Sequence, residues 1–269
     1  MNITSARDLP AEQSGYRALT DWYATPLGSH LLDIERRLVN SILARRFGYH
    51  LLQLGCAELV LHDQSPMGHR FSFCGHPASS TCHTAIARSE AIPLAGESID
   101  LVLLHHALDY SQEQHQLLRE ADRVLIAGGH LVIVGFNPLS VWGLMNSLSP
   151  GSRQSSPWHA SLLSLRRLTD WLKLLDFQVE QVHYGAYSLP LNSQRLIKWS
   201  GWMENTASRL NWPTGGIYAI AARKQVAPLT PVQSRRHRLP VPGLIIPLAD
   251  KVSRVARARP DACYEETGP

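Results

Sequence analysis

Ile99–Leu104 is an apolar run of strand length, broken only by Asp100 near its start, and His130–Val134 is a second. Unbroken rather than alternating apolarity marks a strand covered on both faces, as in a parallel sheet. Between the two runs, Leu117, Leu118, Ala121, Val124 and Leu125 form a stripe at helical spacing. Ser111 with Gln114 three residues later marks a helix start, so the spacing predicts a helix over Gln112–Ile126. Gly128-Gly129 is expected to stop it, because glycine takes the left-handed conformation that ends helices. Strand, helix and strand of these lengths make a right-handed βαβ unit.

The same criteria read the rest of the chain. Tyr16–Ala24 and Ser29–Arg46 are predicted helices, separated by Pro26. In the second, Leu31, Leu32, Ile34, Glu35, Leu38, Val39, Ile42 and Leu43 fall on one face. Tyr49–Leu54, His69–Cys74 and Thr84–Ala87 read as strands, with a short helix at about 57–64. Later come a helix at Leu162–Leu175, a strand at Phe177–Tyr184, a helix around 193–211 and a last strand at Gly216–Arg223. The Ser/Pro/Gly-rich stretch 147–160 reads as a loop, and 225–269, with seven prolines, as an extended tail. The expected organisation is thus a helical cover over 1–47, an α/β domain over 48–224 with an insert at 188–215, and the tail.

Composition narrows the function. The chain has 269 residues, 44% hydrophobic and 18% charged, with no stretch of the ~20 apolar residues that span a membrane. The start, MNITSARDLPAEQSG, has no signal-peptide pattern, so a cytoplasmic protein is expected. Its four cysteines read as thiols rather than a disulfide framework. Residues 225–269 hold seven Lys/Arg and four Asp/Glu; the remaining 19 basic and 18 acidic residues leave 1–224 at a net +1. The globular part therefore lacks the basic surplus of a nucleic-acid binder. The run Arg235-Arg236-His237-Arg238 could touch RNA or acidic lipid, but reads first as a solvated charge run. Cys74-Gly75-His76 and Cys82-His83 have zinc-ligand chemistry, but their spacing matches no common finger, and no metal is expected.

The central segment resembles one family. Ile92-Pro93-Leu94, Ser98-Ile99-Asp100-Leu101-Val102, His106-Ala107-Leu108, Leu118-Arg119-Glu120, Arg123-Val124-Leu125 and Gly128-Gly129-His130-Leu131 follow the order and spacing of class I S-adenosylmethionine-dependent methyltransferases. The likeness is to the small-molecule branch that includes ubiquinone and menaquinone biosynthesis enzymes. It implies a Rossmann-like doubly wound sheet of seven strands, mostly parallel, with an antiparallel last strand. It also implies S-adenosylmethionine as cofactor and methyl transfer to a small-molecule acceptor.

By position, the resemblance assigns cofactor contacts to Gln53, Gly55, Cys56 and Ala57 after the first strand and His76 after the second. It adds Ser89, Glu90 and Ile92 after the third and His106 after the fourth. The glycine motif is degenerate: Gly55 stands, but Cys56-Ala57-Glu58 replaces the rest. No acid ends the second strand, and Arg88 occupies the usual adenine-binding aspartate position. Ligands in doubly wound sheets bind beyond the strands' carboxyl ends, which makes Asn137, Ser140 and Trp142 substrate-side candidates. Methyl transfer needs a base only for a protonated acceptor; His105 is the candidate, with Asp109-Tyr110 at the rim. Neighbours on an extended strand point opposite ways, so one of His105 and His106 is expected to face the pocket. The eroded motifs leave a second reading open, a non-catalytic relative that binds a partner or metabolite.

Overall fold

The computed structural model describes residues 11–56, 59–74, 84–148, 161–187 and 211–225. The helices are α1 (Ala11–Tyr23), α2 (Pro26–Leu43), α3 (Ala107–Tyr110), α4 (Gln114–Val124), α5 (Val141–Leu148) and α6 (Leu165–Leu174). The strands are β1 (His50–Gly55), β2 (His69–Cys74), β3 (Thr84–Ile86), β4 (Ile99–His105), β5 (Leu125–Phe136), β6 (Phe177–Gly185) and β7 (Ile217–Lys224). They form one mixed sheet in the order β3-β2-β1-β4-β5-β7-β6. β1 to β5 pair in parallel; β7 runs antiparallel to β5 and to β6. The sheet doubles back between β1 and β4, where such folds open their ligand crevice.

Each face of the sheet is covered, which is why β4 (Leu101–Leu104) and β5 (Leu131–Val134) carry unbroken apolar runs. On one face, Leu51, Leu101, Leu103, Val132, Val134 and Ala219 pack under Leu19 and Tyr23 of α1 and Leu31, Ile34, Val39 and Ile42 of α2. On the other, Leu52, Leu54, Val102, Leu104 and Ile133 meet Leu117, Leu118 and Ala121 of α4 and Leu168 and Leu172 of α6. At about 25 cal/mol per Å² of apolar surface, these two layers are the main source of stability.

Several elements depart from expectation for identifiable reasons. Pro26 marks the break between α1 and α2 by opening α2 itself, three residues before the expected start: Thr25 caps it by accepting the Gly28 N–H at 3.1 Å, and proline suits the first turn, where its missing N–H is not needed. The expected helix after β1 does not occur over 59–68. There the Gln53 amide donates to the carbonyls of Cys56 (3.2 Å) and Leu59 (2.8 Å) and accepts the Leu61 N–H (3.1 Å). One buried side chain thus holds this connection open as a loop. Gly128 (φ 78) sits in a bulge of β5, not at a helix end: Ile99 pairs with Leu125 and Leu101 with His130, so the residues between are extra. Asp176 (φ 57) takes the left-handed place after α6 where glycine is usual. Of the loop expected over 147–160, residues 147–148 instead end α5 and 149–160 lie outside the described residues, as do 193–210 of the expected helix and most of the tail.

Candidate functional site

The carboxyl ends of β1 and β4 are locked together. Gly55 has φ 100, and a Cβ there would stand 2.2 Å from the His105 carbonyl oxygen. The next residue, Cys56, donates its N–H to that carbonyl at 3.1 Å. Only glycine lets the two chain ends pass this closely. At the same level the chain leaves β4 abruptly. His106 adopts φ 53, ψ 17, a left-handed conformation costing about 1–2 kcal/mol in a non-glycine residue.

That turn changes where the two histidines point. Strand alternation predicts opposite faces, but the backbone reversal brings both imidazoles onto Glu35 of α2. His105 Nε2 lies 3.0 Å from Glu35 Oε2 and His106 Nε2 lies 3.1 Å from Oε1. Tyr23 of α1 donates its hydroxyl to both carboxylate oxygens, at 2.9 and 2.8 Å. His106 Nδ1 is 2.8 Å from Asp109 Oδ2, which also accepts the Phe136 N–H at 3.0 Å. His105 Nδ1 faces the Cys56 carbonyl at 3.4 Å, and His106 stacks on Phe136 with centroids 4.0 Å apart. Glu35, His105 and His106 are 0% exposed and Asp109 1%.

Burial and charge compete at each group. Burial alone would raise the Glu35 carboxyl, but the positive His106 and hydrogen bonds from both histidines hold it at about 2. Burial would lower His106; the Glu35 charge and the Asp109 hydrogen bond lift it to about 9. For His105 burial prevails over Glu35 and the pKa falls. For Asp109 burial prevails over the His106 interaction and the pKa rises. Burial likewise pushes Tyr23 well above the ordinary phenol value, with Glu35 adding to it. The core of the cluster is therefore a charged Glu35–His106 pair, with two histidine nitrogens and a carboxylate of metal-ligand type within 4.8 Å of one another.

The other candidates sort by place. Gly55, Cys56, His105 and His106 come together at the crevice floor. Glu90 is half-buried on the β3 side and accepts the Ser111 hydroxyl at 3.1 Å; Ser89 beside it is buried. Ile92 is fixed by its backbone: its N–H donates to Glu120 (3.2 Å) and its carbonyl accepts from Arg123 (2.8 Å). Gln53 is wholly buried and spent on the loop after β1, so its amide does not reach a ligand. Asn137 and Ser140 lie beyond β5, as expected, but serve the turn itself. Asn137 Nδ2 donates to the carbonyls of Pro213 and Gly215, both at 2.9 Å, tying the turn to the start of β7. Ser140 donates to the Asn137 carbonyl at 2.7 Å. Trp142 is 3% exposed and packs edge-on against Trp22 at 6.2 Å. Ala57, His76, Cys82 and His83 lie outside the described residues. His105, the candidate base, is fully buried, with both ring nitrogens facing protein oxygens.

Sequence reasoning put Glu35 on the apolar face of α2 without asking why a carboxylate was there. That misfit was the one available signal for Glu35, because a buried charge needs partners. Tyr23 carried none.

Residues 47–133 match the family model described as a methyltransferase domain. The uncharacterized protein YafS of Escherichia coli K12 is 34% identical over 215 residues, covering 78% of this chain and 82% of that one. The malonyl-[acyl-carrier protein] O-methyltransferase 1 of Coxiella burnetii is 31% identical over 146 residues, 52% of this chain and 50% of its own length. Among solved structures, a possible histamine N-methyltransferase from Thermotoga maritima superposes with a TM-score of 0.59 at 15% identity, covering 77% of this chain and 94% of that one. No helix among the described residues is long and apolar enough to cross a membrane. Sheet order, central motif and relatives agree: the chain belongs to the class I S-adenosylmethionine-dependent methyltransferases.

Proposed function

We propose that the protein transfers a methyl group from S-adenosylmethionine to a small-molecule acceptor bound beyond the carboxyl ends of β4 and β5. The carrying observation is the reversal of strand order between β1 and β4, with the strained His106 turn and the Gly55 turn meeting at it. The residues fit the cofactor on its adenosine side. Glu90 offers a half-buried carboxylate whose acceptor sites suit ribose hydroxyls or the adenine amino group, and Ser89 and Ile92 flank it. When bound, the cofactor supplies an electrophilic methyl group, and the protein's task is alignment and exclusion of water. In this reading α1 and α2 cover the crevice. Tyr23, Glu35 and the two histidines hold that cover on the end of β4, so His105 is a positioning residue rather than the base. The Coxiella relative, matched over half its length, is named for O-methylation of a malonyl group borne by a carrier protein, which supports methyl transfer to a small acyl group.

One observation favours the non-catalytic reading. The loop over 59–68 replaces the helix whose N-terminus would stabilise the cofactor's carboxylate. Isothermal titration of the full chain with S-adenosylmethionine separates the two. The enzyme reading expects a Kd on the order of micromolar, about −8 kcal/mol. No binding heat at about 1 mM cofactor, where even −4 kcal/mol would register, refutes it.

A further inference from the structure

We propose that Glu35, His105 and His106 bind one zinc ion that, with the Tyr23 hydroxyl bonded behind the carboxylate, staples α1 and α2 to the end of β4. The argument is a count of donors and acceptors. His105 faces the Cys56 carbonyl through Nδ1 and the Glu35 carboxylate through Nε2. His106 faces the Asp109 carboxylate through Nδ1 and Glu35 through Nε2. All four ring nitrogens thus point at oxygens that only accept from them. A neutral His105 that donates Nε2–H to Glu35 leaves its bare Nδ1 facing the Cys56 carbonyl at 3.4 Å, two acceptors against each other in a site with no exposure. Leaving buried acceptors face to face is costly.

A divalent cation between the Nε2 atoms and the carboxylate removes the conflict. Each imidazole then keeps one proton, on Nδ1, donated to Asp109 or to the Cys56 carbonyl. That is the outer arrangement of protein-bound zinc, in which a ligating histidine gives its second N–H to a carboxylate or a backbone carbonyl. Charge closes as well: two positive charges meet the carboxylates of Glu35 and Asp109, and the buried cluster is neutral. Glu35 presents one oxygen to each ring, so its two oxygens and the two Nε2 atoms make four nitrogen and oxygen donors, which suits zinc, with the Tyr23 hydroxyl bonded behind the carboxylate. The left-handed His106 serves this arrangement, because without that turn the two rings would part. All ligands come from the protein and none is exposed, which marks a structural site rather than a catalytic one.

The test uses the untagged full chain. Elemental analysis is expected to find about one zinc per chain, and the chelator-stripped protein to take up one cobalt(II) with the visible bands of four-coordinate cobalt and no thiolate charge-transfer band. Glu35→Gln should abolish the cobalt spectrum, and Asp109→Asn should weaken cobalt binding about 10- to 100-fold. Cys82→Ser, which leaves this cluster intact, should change nothing. Wild-type protein that contains no zinc and gives no cobalt spectrum at equimolar metal overturns the proposal, without need of any variant. So does metal retained by Glu35→Gln and lost from Cys82→Ser.

Discussion

Replacing Glu35 by alanine should cost the fold about 4 kcal/mol. The carboxylate takes hydrogen bonds from three buried donors: the Tyr23 hydroxyl, shared between its two oxygens, His105 and His106. Truncation leaves three donors without a partner, each worth about 1–3 kcal/mol when stranded away from water. Counted as a broken buried ion pair, the same change costs about 3–5 kcal/mol. The two counts overlap and are not summed. His106 keeps Asp109 on its other nitrogen, which holds the loss near the middle of that range. The assay is urea unfolding with chelator present throughout, so that metal contributes nothing. The midpoint should fall with the slope unchanged. By the usual scaling for a domain of this size, the melting temperature should drop by roughly 8–16 °C. A double-mutant cycle with His106→Ala should give a coupling energy of about 2–3 kcal/mol. A loss below about 1 kcal/mol, or strict additivity with His106→Ala, would mean that the contacts bear no net energy and would refute the reasoning.

Three further outcomes follow from single contacts. Gly55→Ala places a methyl group 2.2 Å from a backbone oxygen at φ 100, so the β1–β4 crossing must open; expect a loss of about 2–4 kcal/mol in urea unfolding, far above the few tenths of an ordinary surface change. Asn137→Ala removes two donated bonds and the acceptor of the Leu139 N–H; a loss of about 2–3 kcal/mol should come with faster amide exchange at 138–140 and 215–217. His62 is lowered by burial, with Nε2 3.2 Å from Ser72 Oγ and Nδ1 unpartnered among the described residues. The folded state therefore resists a proton that the unfolded state accepts below about pH 6.5. Its contribution to stability is complete above that pH and is lost as pH falls, by up to about 1.4 kcal/mol per pH unit. Relative to wild type, His62→Asn should flatten the stability profile as pH falls below about 6.5; an unchanged profile contradicts the assignment.

The parts of the fold written in local pattern were legible. Ile99–Leu104, His130–Val134 and the stripe from Leu117 to Val124 gave strand, strand and helix because the unbroken and 3.6-residue patterns reflect which sides are covered. The antiparallel close of the sheet came from family likeness, since nothing in GIYAIAAR fixes direction. The loop after β1 was not legible. Its apolar residues fit a short helix, and the choice against it rests on Gln53, whose amide satisfies backbone groups up to eight positions away. A long-range side-chain bond of that kind leaves no periodicity.

The site shows the same limit more sharply. The expectation that one of His105 and His106 faces inward assumes an extended chain through both, and one dihedral angle breaks it. Nothing at Ala107 or Asp109 announces φ 53 at His106, because the turn is held by what surrounds it. Gly55 lets β1 cross the His105 carbonyl, Phe136 stacks under the ring, and Asp109 ties Nδ1. Glu35, seventy residues upstream of His105, then meets both rings. A carboxylate in the buried stripe of an amphipathic helix does not state its partner, but it does state that one exists, since an isolated buried charge would cost more than the helix could supply. Pairing such a misfit with polar residues at the carboxyl end of the strand it covers would have found this cluster without coordinates. Glu35 on α2 and the histidines ending β4 are then one question asked twice along the chain.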